Sequence, residues 1–245
     1  MNLSICILAG GNGKRMKSEL PKVCVLFKGM PMIVHIINNA LKLNTQKIII
    51  ITGKYNEFIQ NTIKSWLNDN DFKKLTFIIQ EEALGTGHAV KCSLDCFEKN
   101  EEVLILNGDT PNLSFRLLND FIFYKKGYNK LLISEVDNPS GYGRILMNNE
   151  NEILKIIEEK DANHIEKKVN KINSGIYLIN SIDLKQYVNL IQNNNHSNEY
   201  YLTDIIELMQ LNKIKTYGYI IDKSMNYEIL GVNTLEQLND LEKLK

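Results

Sequence analysis

Short β-branched runs recur at a nearly fixed interval through the middle of this chain. They begin at Lys47 (KIIIIT), Leu75 (LTFIIQ), Glu102 (EVLILN) and Asn129 (NKLLISEV), spaced by 28, 27 and 27 residues. That interval is the length of one strand, one helix and two loops. Apolar runs without alternation belong to strands covered on both faces. The segments between them look helical: within 31–43, Ile33, Ile36, Ile37, Ala40 and Leu41 fall on one face. The expected fold is therefore α/β, a parallel sheet with helices on both sides.

The first interval breaks the rhythm. From Leu3 to Lys47 is 44 residues, and the surplus is LAGGNGKRMKSELPKVCVLFKGM (8–30) directly after the first strand. Ligands in open α/β sheets bind at the carboxyl ends of strands, so this enlarged loop is the first place to look for chemistry. Beyond residue 140 the strands shorten to RILM, EILKII, INSGIYLI and IKTYGYII, with helical segments near 181–192 and 200–210. Thr234-Leu-Glu-Gln237 reads as a capping box in which the two side chains satisfy each other's free amides. No Pro- or Ser-rich linker interrupts the chain, so 1–245 reads as a single domain whose pattern changes near residue 135.

Charge narrows the partners. Lys+Arg and Asp+Glu both number 29, so the net charge is zero and nothing argues for a nucleic acid or a membrane surface. The apolar run Leu3 to Ala9 has no basic residue before it and is far too short to span a bilayer; a secretory signal is not expected. Asn2 excludes N-myristoylation. Cys92 and Cys96 would share a helical face but have no histidine beside them, so these and Cys6 and Cys24 are expected to be reduced structural thiols of a cytoplasmic protein.

Residues 8–16 read LAGGNGKRM. Three glycines after a strand let the backbone approach an anion with its amides turned inward. A P-loop would need Gly at 8 and Ser or Thr at 15, where Leu8 and Arg15 stand; a dinucleotide fingerprint would need Gly at 16, where Met16 stands. What remains is a Gly-rich loop followed by Lys14, Arg15, Lys17 and Lys22 with Glu19 the only acid, a local +3 suited either to a triphosphate or to a solvated basic loop.

LAGGNGKRM and the Pro21-Lys22 that follows resemble the signature of the sugar-1-phosphate nucleotidyltransferases. LGTGHAV (84–90), NGDTP (107–111), GYGRI (141–145), EEKDA (158–162), INSGIY (172–177), NEYYLTDII (198–206) and GVNT (231–234) occur in the order found in one branch. That branch is the uridyltransferase domain of the bifunctional bacterial N-acetylglucosamine-1-phosphate uridyltransferases. The resemblance implies a Rossmann-like, mostly parallel sheet, with about 1–135 as the nucleotide half and about 136–245 as the sugar half. That branch's C-terminal acetyltransferase domain, a left-handed β-helix, is not expected here, because the chain stops about a dozen residues after GVNT.

By the same resemblance, Leu8, Ala9, Gly10 and Gly11 hold the nucleotide through their backbone, with Gln80, Gly85 and Thr86 on the base and ribose side and Asn107 and Gly108 beside them. Arg15 and Lys22 contact phosphates. Asp109 and Asn233 bind a catalytic Mg²⁺. Gly143, Glu158 and Asn173 hold the N-acetylated sugar, with Asn233 nearby. Arg15, Lys22 and Asp109 form the implied catalytic set, and UTP and N-acetylglucosamine-1-phosphate are the implied partners. The sequence departs from that branch at Gly10 (a second Ala), Lys14 (Thr) and Asn107 (often Tyr). Asn107 and Lys14 leave open the same chemistry on another nucleotide or sugar. A third reading is a non-catalytic regulatory subunit that keeps the fold.

The residues suit the chemistry. A phosphate monoester with second pKa of about 6 is already ionised at neutral pH and needs no general base. No Ser-His-Asp or Cys-His arrangement is recognisable. Catalysis then rests on positioning two polyanions and neutralising charge. Asn173 in a strand interior needs partners that a ligand would supply. Glu159 beside Glu158 suggests a solvated acidic face as the competing reading. His88 reads as structural, Tyr200 and Tyr201 as packing in the sugar half, and Trp66 as core or helix surface. No heptad or other association signal indicates an oligomeric state.

Overall fold

The structure, a computed structural model, describes every residue except Met1, Asn12, Lys14, Arg15, Lys17, Glu19, Gln46 and Lys245. The first half runs β1 (Leu3–Leu8), β2 (Leu26–Phe27), β3 (Met30–Pro31), α1 (Met32–Leu41), β4 (Lys47–Thr52), α2 (Asn56–Trp66), α3 (Asp69–Phe72), β5 (Leu75–Ile79), α4 (Thr86–Cys92), β6 (Glu102–Asn107), α5 (Phe115–Phe123) and β7 (Asn129–Glu135). The second continues with β8 (Arg144–Met147), β9 (Ile153–Ile157), β10 (Lys171–Asn180), α6 (Ser181–Val188), α7 (Asp204–Leu211), β11 (Thr216–Ile220) and α8 (Leu235–Lys243). The four runs that set the sequence rhythm start their strands at the residues read from the sequence.

The main sheet has the order β11-β7-β10-β6-β1-β4-β5, with the β8–β9 hairpin attached to β10. Pairs β1–β4, β1–β6, β4–β5 and β7–β11 are parallel. The sheet is mostly parallel, as expected, and its exception in the centre is β10, which lies antiparallel between β6 and β7. Its burial is near-continuous from Ile176 to Ile179, and a strand buried on both faces carries no sequence mark of its direction.

Side chains alternate between two cores, as a two-residue period requires. Ile5, Ile7, Ile48, Ile50, Leu104 and Leu106 face one cluster together with Ile36 and Ile37 of α1 and Phe121 of α5. Cys6, Ile49, Ile51, Val103 and Ile105 face the other, with Val90 of α4, Leu184 of α6 and Ile205 of α7. A third, smaller cluster joins Met16, Val25, Phe27 and Met32 to Val232, Leu238 and Leu241. It clamps α8 onto the segment after the Gly-rich loop. Being shared between two clusters, α1 is buried more fully than its single predicted face: Met32 and Val34 are inside as well.

The capping box forms with a one-residue shift. Thr234 Oγ1 accepts the Gln237 amide at 3.1 Å, but Gln237 Oε1 accepts the amide of Asn233, at 2.7 Å, rather than that of Thr234. The cap therefore also fixes the backbone of Asn233. Cys6 and Cys24 are buried, Cys92 and Cys96 half-buried, and all four are free thiols; burial pushes Cys6 up to about 12 and Cys24 to about 11. Among the described residues, no helix is long and apolar enough to cross a membrane.

Candidate active site

A cleft of about 590 Å³ opens at the carboxyl ends of β1 and β6. At this point the strand order departs from β1 in both directions, which is where ligands enter open α/β sheets. Of the residues expected to bind substrates or metal, Leu8, Gly10, Gly11, Lys22, Gln80, Gly85, Thr86, Asn107, Asp109, Gly143, Glu158, Asn173 and Asn233 line it. Ala9 and Gly108 stand behind the wall. The Ala9 amide donates to Ile51 O at 2.7 Å and the Gly108 amide to Leu8 O at 2.9 Å. Arg15 and Lys14 lie outside the described residues.

At one end sits a charged cluster. Lys22 opens a short 3-10 turn (Lys22–Cys24), and Asp109 follows β6. The Lys22 ammonium pairs with Asp109 Oδ2 and donates to Asn233 Oδ1 at 2.9 Å. Both side chains of the ion pair are largely covered, with 14% exposure for Lys22 and 20% for Asp109. The Asp109 carbonyl accepts the Val232 amide at 2.9 Å, tying the GVNT turn to the end of β6. Gly13 packs directly on Lys22: at φ +58, an added Cβ would lie 2.7 Å from Lys22 Cβ. Tyr142 closes this end, its phenol raised by burial and further by the Asp109 charge.

The wall carrying Gln80, Gly85 and Thr86 is built from two distant motifs zipped together. Tyr200 donates its amide to Leu84 O at 2.8 Å and receives the Gly87 amide at 2.7 Å, while Leu202 donates to Thr86 Oγ1 at 3.0 Å. Gly85 has φ +110, and a side chain there would meet Tyr200 O at 2.6 Å. Gln80 is held by Gly85 O and by His88 Nδ1, each at 3.0 Å. His88 is thus a support for Gln80, and Tyr200 packs at its edge with ring centroids 6.3 Å apart. Trp66, at 46% exposure, lies on the surface of α2.

At the opposite end, a Cβ on Gly143 would approach Asn173 Cβ at 3.5 Å and Glu158 Oε1 at 3.6 Å, so these three residues adjoin. Glu158 accepts the Thr203 hydroxyl at 3.0 Å. Burial raises its carboxyl, the Thr203 bond opposes that, and Asp204, Asp161 and Glu199 raise it further. Glu159 turns the other way, onto Arg144 at 2.6 Å and the Gly141 amide at 3.0 Å. The solvated-face reading of this acidic pair is thereby replaced by a split: one carboxylate faces the cleft and the other anchors its rim.

Asn173 also differs from expectation, because it finds partners within the protein. Its Nδ2 donates to Tyr177 Oη at 2.9 Å and its Oδ1 accepts the Gly175 amide at 2.8 Å. One amide hydrogen and one lone pair are left over from that pairing. The β10 register shifts between Asn173 and Tyr177, and the bulge places Gly175 (φ +75) under Asn107. Asn107 Nδ2 donates to Ser174 O at 3.3 Å.

Thr203, Tyr142 and the Arg144–Glu159 pair escaped the sequence reading. Arg144 was in view within GYGRI, but nothing in one sequence says that an arginine is 1% exposed.

Residues 5–226 match the family model described as Nucleotidyl transferase. A protein of Acanthamoeba polyphaga mimivirus named "Probable UDP-N-acetylglucosamine pyrophosphorylase" is 40% identical over 247 residues, covering 99% of this chain and 96% of its own. The fold is similar to a UDP-glucose pyrophosphorylase solved with UDP-glucose (TM-score 0.75, 18% identity, 99% and 97% of the two chains). It is similar also to an apo UDP-glucose pyrophosphorylase (TM-score 0.73, 17% identity, 99% and 97%). With the family model spanning most of its length and a full-length relative at this identity, the chain belongs to the nucleotidyl transferase family.

Proposed function

We propose that this enzyme transfers UMP from UTP to N-acetylglucosamine-1-phosphate, giving UDP-N-acetylglucosamine and pyrophosphate. The observation that carries the reading is that one cleft joins the Lys22–Asp109–Asn233 cluster to the Gly143–Glu158–Asn173 group. The name of the 40%-identical relative supports the choice of sugar and nucleotide.

In the reaction, a phosphate oxygen of the sugar-1-phosphate attacks the α-phosphorus of UTP. A new P–O bond forms, the bond to the β-phosphate oxygen breaks, and pyrophosphate leaves with the electron pair. The nucleophile is already anionic, so the site needs charge neutralisation rather than a base. Lys22 supplies a positive charge to the phosphates. Glu158 and Asn173 orient the sugar, and the glycines at 10 and 11 admit the nucleotide backbone closely.

A Mg²⁺ ion fits the same cleft. The Asp109 and Asn233 side-chain oxygens converge on one cation, the Lys22 ammonium, so they already aim at a common point. Two protein oxygens suit a hard cation that keeps substrate phosphate and water as most of its ligands. Bound there, it would neutralise charge on the phosphates as they approach one another.

The test is pyrophosphate release with Mg²⁺ from UTP, dTTP, CTP or GTP against the 1-phosphates of N-acetylglucosamine, N-acetylgalactosamine, glucosamine and glucose. UTP with N-acetylglucosamine-1-phosphate should dominate the grid. A larger signal at another pair overturns the proposed specificity, and silence from folded protein overturns the activity.

A further inference from the structure

Lys22 stands between two residues that this reading gives to a metal. Its ammonium pairs with Asp109 Oδ2 and donates to Asn233 Oδ1 at 2.9 Å, so one positive centre already satisfies both oxygen donors. The arrangement is built rather than incidental. Lys22 is held from behind by Gly13, which leaves no room for a side chain. The Asn233 amide is fixed by Gln237, and the Asp109 carbonyl by the Val232 amide. The third hydrophobic cluster presses the two carriers, the segment after the loop and the foot of α8, against each other.

Two cations cannot occupy this point together. Charges of like sign a few ångströms apart repel strongly in a partly covered site, and among the described residues Asp109 is the carboxylate that pairs with Lys22. We infer that Lys22 is a resident cation of the metal position. It neutralises Asp109 while the cleft holds no nucleotide, and a divalent ion must displace it to bind. The inference rests on the proposed Mg²⁺ site. Its consequence is a gate on order: free divalent cation competes poorly with a tethered ammonium, whereas a metal–triphosphate complex brings its own anionic charge. The displaced ammonium then finds a partner in that triphosphate. Lys22 is released by the arrival of the group it neutralises, and metal and nucleotide enter together.

The experiment measures Mn²⁺ binding to nucleotide-free protein by the electron paramagnetic resonance signal of the free ion, for wild type, Lys22→Met and Lys22→Met/Asp109→Asn. If the ammonium holds the position in roughly nine molecules of ten, removing it should tighten Mn²⁺ binding about tenfold, since apparent affinity scales with the competent fraction. The double variant should lose that gain. Equal, Asp109-dependent binding by wild type and Lys22→Met overturns the inference while leaving the metal site standing. No Asp109-dependent binding by any form, with or without UTP, overturns both.

A second measurement needs no variant to stay folded. In wild type carrying ¹³Cε-lysine, Mg²⁺ alone should leave the Lys22 resonance in place, and Mg²⁺ with UTP should shift it. A shift of the same size with Mg²⁺ alone, at concentrations that saturate the UTP complex, would overturn the gate.

Discussion

The Thr203 hydroxyl donates to Glu158 Oε1 at 3.0 Å, joining the start of α7 to the turn after β9. Thr203 is only 4% exposed, so its hydroxyl has few alternatives and Glu158 is held in one orientation. Thr203→Val keeps the shape and removes the donor, a loss of about 1.5–3 kcal/mol for a hydrogen bond to a charged group. The KM for the sugar phosphate should rise about tenfold or more, with the KM for UTP within about twofold of wild type. Because the bond lowers a carboxyl that burial raises, its loss raises Glu158 further. The acid limb of kcat/KM should therefore move to higher pH. Thr203→Ser should restore both, and equal rises in the two KM values would refute the assignment.

Gly175→Ala tests the β10 bulge. At φ +75, the new methyl would sit 2.2 Å from Asn107 Nδ2. Strain plus the clash should cost about 2–3 kcal/mol of stability by urea denaturation. Adding Asn107→Ala removes the clash but not the strain, so the double variant should be more stable than Gly175→Ala alone. Strict additivity would mean that the two residues do not bear on each other.

Arg144→Met removes the anchor of the cleft rim. Arg144 is 1% exposed and serves both Glu159 and the Tyr142 carbonyl. Glu159 keeps 30% exposure, so water softens the loss. The expected destabilisation is about 2–3 kcal/mol, below the range for a fully buried pair. A change under about 0.5 kcal/mol, the scale of an ordinary surface substitution, would show that the rim is held by its backbone alone.

Asp204 gives a pH signature. Burial, with Glu207 adding, pushes its carboxyl from 3.8 up to about 6. The folded state thus binds this proton more tightly than the unfolded state, and the group's contribution to stability falls as pH rises between about 3.8 and 6. Asp204→Asn should accordingly be more stable than wild type at pH 8, by a margin that closes on acidification to pH 4. A margin independent of pH would assign the effect to something other than ionisation.

Much of this molecule is legible in its sequence, and the limits have physical causes. Strand starts at Lys47, Leu75, Glu102 and Asn129 emerge because apolar runs and their spacing are local properties. The antiparallel entry of β10 between β6 and β7 does not, because pairing is decided by tertiary contacts. The cleft residues surface through motif order, which is chemistry written at fixed offsets. Their support is hidden for the opposite reason. The Thr203–Glu158 bond spans 45 positions, and the zipper between Leu84–Gly87 and Tyr200–Leu202 spans more than a hundred. Glu159 shows the same blindness at close range: side by side with Glu158 in sequence, it turns away from the cleft onto Arg144.

The bond between Lys22 and Asn233 closes a span of 211 residues. Bringing such distant segments together costs loop entropy that is recovered only when the contact forms. During synthesis the sheet's first strands leave the ribosome long before the GVNT turn and α8. Asn233 therefore meets the lysine only after the chain's last segment is made, with that turn held by Asp109 and α8 packed on Phe27 and Met32. A nascent chain carries a glycine-rich loop without the Lys22–Asp109–Asn233 cluster, which is complete only when the C-terminal segment has been made.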